Sequence, residues 1–296
     1  MVQKLINLDT KDYEHPFDRN ALNAVKKIPF FPEVMKKLMN LLSVKWSVIA
    51  MCGSNYHVTR AACPTLYQSC EEVVKTLDLG SMPDIYVEQD YYINAYTTGI
   101  DQTAYIVLSS GAVDRLSEKE LQFIIGHEAG HIKSGHVLYH VMCAYIQELI
   151  NGFTTVLAAG LPLALQYWNR MSEFTADRAG LLACQDLNQA LNVIMKMSGL
   201  PMNYYSDASL EGFIEQAREF NDRYSGTFDT VVRNLSILGA DHPWTVARAA
   251  ELIKWVESGE YDKILKKTKG KICVNDGSQV PIDAKACPIC GGTEFK

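Results

Sequence analysis

Two histidines four residues apart, His127 and His131, enclose Glu128, Ala129 and Gly130 in a segment with a helical apolar period. On a helix, positions i and i+4 lie about 40° apart around the axis, so both imidazoles point at one spot a turn apart. Two neutral imidazoles suit Zn²⁺, and Glu128 stands beside them, close enough to take a proton from a water without being a ligand itself. One helix cannot complete such a site. A catalytic zinc takes three protein ligands and keeps one position open, so the fold must bring a second element across this helix.

The helix has its own start signal. Ser117-Glu118-Lys119-Glu120 matches a capping box, with Ser117 at the cap and Glu120 reaching back. Leu121, Ile125, Ala129 and Ile132 are expected to form its buried stripe. A third histidine six residues after the second would complete one known zinc pattern, but position 137 is Val and the glycine is displaced to Gly135. His136 and His140 therefore read as polar residues of the helix, with His136 the next candidate ligand. The better third ligand is Glu173 in Met171-Ser172-Glu173-Phe174-Thr175-Ala176-Asp177-Arg178-Ala179-Gly180, where Asp177 follows one turn later on the same face. A second carboxylate there can accept a hydrogen bond from the outer nitrogen of a ligand histidine and fix its tautomer.

The order H-E-x-x-H, then Glu173-Phe174 to Gly180, then Asp241-His242-Pro243 with Arg248, resembles the gluzincin metallopeptidases of the CaaX prenyl protease and HtpX type, over about residues 80–262. The resemblance implies an α+β, predominantly α-helical fold: a gluzincin-type core with a small mixed β-sheet. It implies one catalytic zinc held by His127, His131 and Glu173, with Glu128 as general base and Asp177 orienting a ligand histidine. His242 and Arg248 match the family's late His-Pro and Arg, which would face the reacting carbonyl or brace the site. Asn94-Ala95-Tyr96 resembles the family's Asn-Ala-[Phe/Tyr] element beside the strand that pairs with extended substrate. The expected function is zinc-dependent endopeptidase action on protein or peptide substrates. The substrate is expected to add to an edge formed by residues 104–108. The alternative is a zinc-containing, chaperone-like module that binds chains without cutting them, which would not require Glu128.

Residues 149–169 carry no charge, which by length invites a membrane span. Integral members of the resembled family place membrane helices in this region, but here the 132–172 gap holds Lys133, His136, His140, Glu148 and Arg170. One crossing would put His131 and Glu173 on opposite sides, and two would need the whole gap, charges included. A helical hairpin on the protein is expected instead, with no integral span and peripheral membrane contact left open. The charge sum of −6 offers no basic field for nucleic acid. The first residues lack a signal-peptide core and the eight cysteines follow no disulfide framework, so a cytoplasmic location is expected.

Four regions are expected: a helical segment over 1–80 packing on the core, a peptidase domain over 81–262, a solvated lysine-rich linker over 263–272, and a tail over 273–296. Strands are expected at 85–88, 94–98 and 104–108, with a turn at 98–101. In the tail, Cys287-Pro288-Ile289-Cys290-Gly291 has the form of a zinc knuckle. Cys273-Val274-Asn275-Asp276-Gly277 repeats the shape with Asp276 in place of the second thiolate. The tail thus reads as a zinc-ribbon-like module able to hold a second, structural zinc.

Overall fold

The computed structural model describes residues 2–28, 31–38, 42–100, 103–146, 155–223 and 244–296. The fold is α+β and predominantly helical. The first part contains α1 (Thr10–Tyr13), α2 (Pro16–Lys26), α3 (Phe31–Leu38), α4 (Leu42–Ser54), β1 (Tyr56–Val58) and α5 (Pro64–Thr76). β2 (Asp84–Glu88), β3 (Ala95–Ile100), β4 (Thr103–Ser109), α6 (Ser110–Arg115), α7 (Glu118–Lys133) and α8 (Val137–Ala144) follow. The long α9 (Thr155–Cys184) leads to α10 (Leu187–Met197), α11 (Leu210–Arg223), α12 (Thr245–Glu257) and α13 (Glu260–Lys267). A hairpin of β5 (Gly270–Ile272) and β6 (Gln279–Pro281) lies in the C-terminal module.

The main sheet has the order β1-β2-β4-β3. β2 and β4 run parallel, with Ile85 opposite Ile106, and β3 pairs antiparallel with β4, with Thr97 opposite Ile106. β4 is therefore interior, and its Ile106, Val107 and Leu108 are wholly buried. This corrects the expectation that residues 104–108 form a free edge: on this side the edge strand is β3. The expected turn at 98–101 also moves, because Thr98, Gly99 and Ile100 still pair with Tyr105, Ala104 and Thr103. Gly99 pairs with Ala104 where a Cβ would press on Thr103 O and on Val137 of α8, so a glycine suits this strand position.

β1 was not foreseen. Three residues show no alternation, and the strand exists through pairing with β2, where His57 stacks on Tyr86 with ring centroids 4.7 Å apart. It draws the 1–80 region into the main sheet. Leu5, Leu8 and Tyr13 likewise join the core beneath the sheet with Phe123, Ile125 and Leu181, so the boundary expected at 80 falls inside one continuous core. The expected linker is also corrected. Its first half is α13, whose Tyr261 and Ile264, three residues apart, are buried beneath the lysine-bearing surface, and β5 begins at Gly270.

A second apolar cluster joins α2, α3, α8 and the first half of α9 through Val25, Val34, Met142, Leu161, Leu165 and Trp168. Leu161, Leu165 and Trp168 of the uncharged stretch thus supply protein core, and α8 packs against α9. Residues 149–154 lie outside the described residues. Among the described residues, no helix is long and apolar enough to cross a membrane.

Candidate metal centre

α7 starts as its capping box directs: Ser117 N donates to Glu120 Oε2 (2.8 Å), and Glu120 N to Ser117 Oγ (3.4 Å). Instead of one buried stripe, every residue from Glu120 to His131 is buried. The reason lies opposite the stripe, where Gly126 and Gly130 let α9 come close. A Cβ on Gly126 would collide with Ala183 Cβ, one on Gly130 with Ala179 Cβ, and one on Gly180 with Phe123 O. Small residues on both helices bring the backbones together, and that approach carries Glu173 and Asp177 of α9 to the histidines of α7.

His127 Nε2 and His131 Nε2 lie 3.2 Å apart. Glu173 faces both, with Oε2 3.4 Å from His127 Nε2 and Oε1 3.3 Å from His131 Nε2. Donors bound about 2.0–2.1 Å from a tetrahedral zinc stand about 3.3 Å from one another. The histidine nitrogens are spaced as two such donors, and each Glu173 oxygen stands at a comparable distance from one of them. Two imidazole nitrogens and a carboxylate are also the right donors for zinc, so the residues fit the ion.

Asp177 Oδ1 accepts from His127 Nδ1 (3.0 Å). Arg248, on α12, grips the same carboxylate with two bonds: Nε to Oδ2 at 2.8 Å and a terminal nitrogen to Oδ1 at 2.6 Å. Burial alone would raise the Asp177 pKa, but the Arg248 guanidinium and the hydrogen bonds hold it below the ordinary value. Burial pulls the Arg248 pKa down, and the Asp177 charge more than reverses this. Arg248 also lies 3.8 Å from Glu173 Oε2. Its guanidinium is thus turned toward the two carboxylates of α9. His242 lies outside the described residues.

Glu128 Oε2 accepts from Thr97 Oγ1 of β3 (2.6 Å), which ties the carboxylate to the edge strand. Thr97 gave no signal in the sequence because its relevance depends on the pairing of β3 over α7. Asn94 and Ala95 stand at the start of this strand, where Asn94 Oδ1 accepts from Ala95 N (3.0 Å). Strand alternation turns Tyr96 away from Thr97, and its hydroxyl donates to Glu88 Oε2 (3.1 Å). Its side chain therefore faces away from Glu128.

His136 and His140, expected as polar residues of α7, do not belong to that helix: His136 caps α8 and His140 lies within α8. Gly135, at φ 69°, ends the helix by turning the chain, and His136 is 2% exposed, facing inward. Its Nδ1 lies 3.0 Å from His131 Nδ1, and its Nε2 lies 3.1 Å from Asp18 Oδ2 on α2. His140 Nε2 lies 3.2 Å from Ser172 Oγ.

The C-terminal module brings Cys273, Asp276, Cys287 and Cys290 together, one ligand atom from each within 4.8 Å of the others. Cys273 Sγ and Cys290 Sγ are 3.6 Å apart, and Cys287 Sγ is 3.5 Å from Asp276 Oδ2. Zn–S bonds of about 2.3 Å place tetrahedral sulfurs about 3.8 Å apart, so these donors also fit an ion. Gly277 (φ 71°) and Gly291 (φ 75°) make the two tight turns. Their amides donate to Cys273 O (2.9 Å) and Cys287 O (2.8 Å).

The profile of peptidase family M48 matches residues 62–256. A plastoglobule-localized metallopeptidase 48 of Arabidopsis thaliana is 31% identical over 275 residues, covering 90% of this chain and 79% of the relative. A protease HtpX homolog of Ralstonia pickettii is 25% identical over 234 residues, covering 69% of this chain and 78% of the relative. A Dictyoglomus turgidum protein of the same description is 29% identical over 133 residues, covering 44% of this chain and 42% of the relative.

Proposed function

The chain belongs to peptidase family M48 and is a metallopeptidase; from this premise we propose that it is a zinc-dependent endopeptidase whose ion is held by His127, His131 and Glu173. The observation carrying this reading is the convergence of His127, His131 and Glu173: the two Nε2 atoms stand 3.2 Å apart and a Glu173 oxygen lies within 3.4 Å of each. When bound, zinc supplies Lewis acidity that brings a water toward neutral pKa and polarises the scissile carbonyl. Glu128 takes the proton of the attacking water and hands it to the leaving amine. Thr97 holds Glu128 at the proton's path through its 2.6 Å hydrogen bond. Asp177 keeps His127 in the tautomer that presents Nε2, and Arg248 keeps Asp177 ionised. His242 donates to the carbonyl oxygen as negative charge develops there. An extended peptide adds to β3 through main-chain hydrogen bonds, with Asn94, Ala95 and Tyr96 receiving one end of it.

Cleavage of an unfolded, casein-like protein before and after metal removal tests this function. Stripping with dipicolinate is expected to abolish cleavage, and added zinc to restore it. Full cleavage by protein shown to be free of metal would refute the proposal.

The same reading gives the C-terminal module a second, structural zinc on Cys273, Asp276, Cys287 and Cys290. Elemental analysis is expected to find two zincs per chain, falling to one in Cys287→Ser/Cys290→Ser with peptidase activity retained. One zinc in both proteins would show that the module is metal-free. For location we propose a cytoplasmic protein without an integral span; the burial of Leu161, Leu165 and Trp168 within the protein supports the second part of this reading.

A further inference from the structure

His131 has two nitrogens, and the proposed centre uses one. Its Nε2 joins His127 and Glu173, while Nδ1 lies 3.0 Å from Nδ1 of His136. Two imidazole nitrogens at this distance need one proton between them. The far end of the chain of contacts decides which ring carries it.

Asp18, on α2, is fully buried. Trp168 Nε1 donates to its Oδ1 at 2.8 Å, and Thr175 Oγ1 donates to its Oδ2 at 2.6 Å. The Thr175 hydroxyl is free to donate because its lone pair already accepts from His15 N at 3.0 Å. The carboxylate is thus an acceptor on both oxygens, and His136 Nε2, 3.1 Å from Oδ2, is its third donor. A neutral His136 with its proton on Nε2 has a bare lone pair on Nδ1. His131 must then donate from Nδ1, which leaves its Nε2 lone pair facing His127 and Glu173.

We infer that His136 and Asp18 are positioning residues of the metal centre, a relay through which the N-terminal helix α2 fixes the tautomer and ring orientation of His131. This rests on His131 being a ligand. The two ligand histidines are then held by the same kind of device at different lengths. His127 meets a carboxylate directly, whereas His131 reaches one through a second imidazole. The relay also gives the N-terminal segment a chemical part in the site beyond packing.

His131, His136 and His140 could instead hold an ion themselves, since their ligand atoms also lie within 4.8 Å of one another. The contacts favour the relay. His136 Nε2 is taken by Asp18 and His140 Nε2 faces Ser172.

The test compares zinc affinity, by competition with a chromogenic chelator, and the visible spectrum of the cobalt-loaded protein. The variants are His136→Ala, His136→Asn, Asp18→Asn, His140→Ala and His131→Ala, with melting temperature of the metal-free form recorded for each. His136→Ala is expected to weaken zinc binding about 10–100-fold and to alter the cobalt spectrum. His136→Asn keeps an acceptor near the Nδ1 position and is expected to recover most of the affinity. Asp18→Asn, nearly isosteric, is expected to lose about 10-fold, and His140→Ala to bind as wild type. A purely structural role would lower the melting temperatures without moving affinity or spectrum. Wild-type affinity and spectrum in both His136→Ala and Asp18→Asn would overturn the relay, while zinc loss in His131→Ala leaves the ligand assignment standing. Zinc retained by His131→Ala would overturn both. Loss of zinc by His140→Ala as severe as by His136→Ala would overturn the relay in favour of the three-histidine site.

Discussion

Glu128→Gln lowers the rate of peptide hydrolysis by about 10²–10⁴-fold, the span general-base catalysis contributes, and leaves zinc bound. The amide matches the carboxylate in shape but cannot take a proton from water. It can still accept from Thr97 through its carbonyl oxygen, so the 2.6 Å contact to β3 survives. Glu128 also stands outside the triangle formed by His127, His131 and Glu173, so metal content is expected to stay at the wild-type level. The measurement is cleavage of an unfolded protein together with zinc per chain for both proteins. A Gln variant that cleaves at the wild-type rate would show that the proton leaves by another group.

Glu173→Ala weakens zinc binding by more than the about 10–100-fold that loss of an outer partner costs. It removes the carboxylate that faces both histidines and leaves only the histidine pair. Asp177→Asn is expected to fall within that range, since the amide oxygen can still accept from His127 while the charge facing Arg248 is lost. Asp177→Ala adds a stability cost of about 3–5 kcal/mol, because Arg248 then keeps a buried charge without its main partner. Competition with a chelator measures the first effect and denaturant unfolding the second. Equal zinc affinity in wild type and Glu173→Ala would move the third ligand elsewhere.

What could be read from the sequence was local in period. The i and i+4 spacing of His127 and His131, the Ser117–Glu120 box, and the one-turn separation of Glu173 and Asp177 are each set within a single helix. What escaped was set by contacts between distant segments. Thr97 reaches Glu128 only because β3 is the edge strand, and β1 exists only beside β2. Asp18 meets Trp168 and Thr175 across 150 and 157 residues of chain, so nothing in its own neighbourhood announces it. His136 faces inward because Gly135 turns the chain just past the end of α7, where a continuing helix would have turned it outward. The lysine-rich segment reads as linker by composition, but its first residues end a helix that buries Tyr261 and Ile264 at helical spacing. Gly126 and Gly130 carried a signal that periodicity arguments pass over, because what matters is the absence of a side chain where α9 crosses.

Anomalous diffraction at the zinc edge, from crystals of the zinc-loaded chain, tests the proposed seat of the metal most directly. The expected map places an ion in the helical body of the protein about 2.0–2.2 Å from His127 Nε2, His131 Nε2 and a Glu173 oxygen. A peak seated among His131, His136 and His140, with none at Glu173, would contradict it.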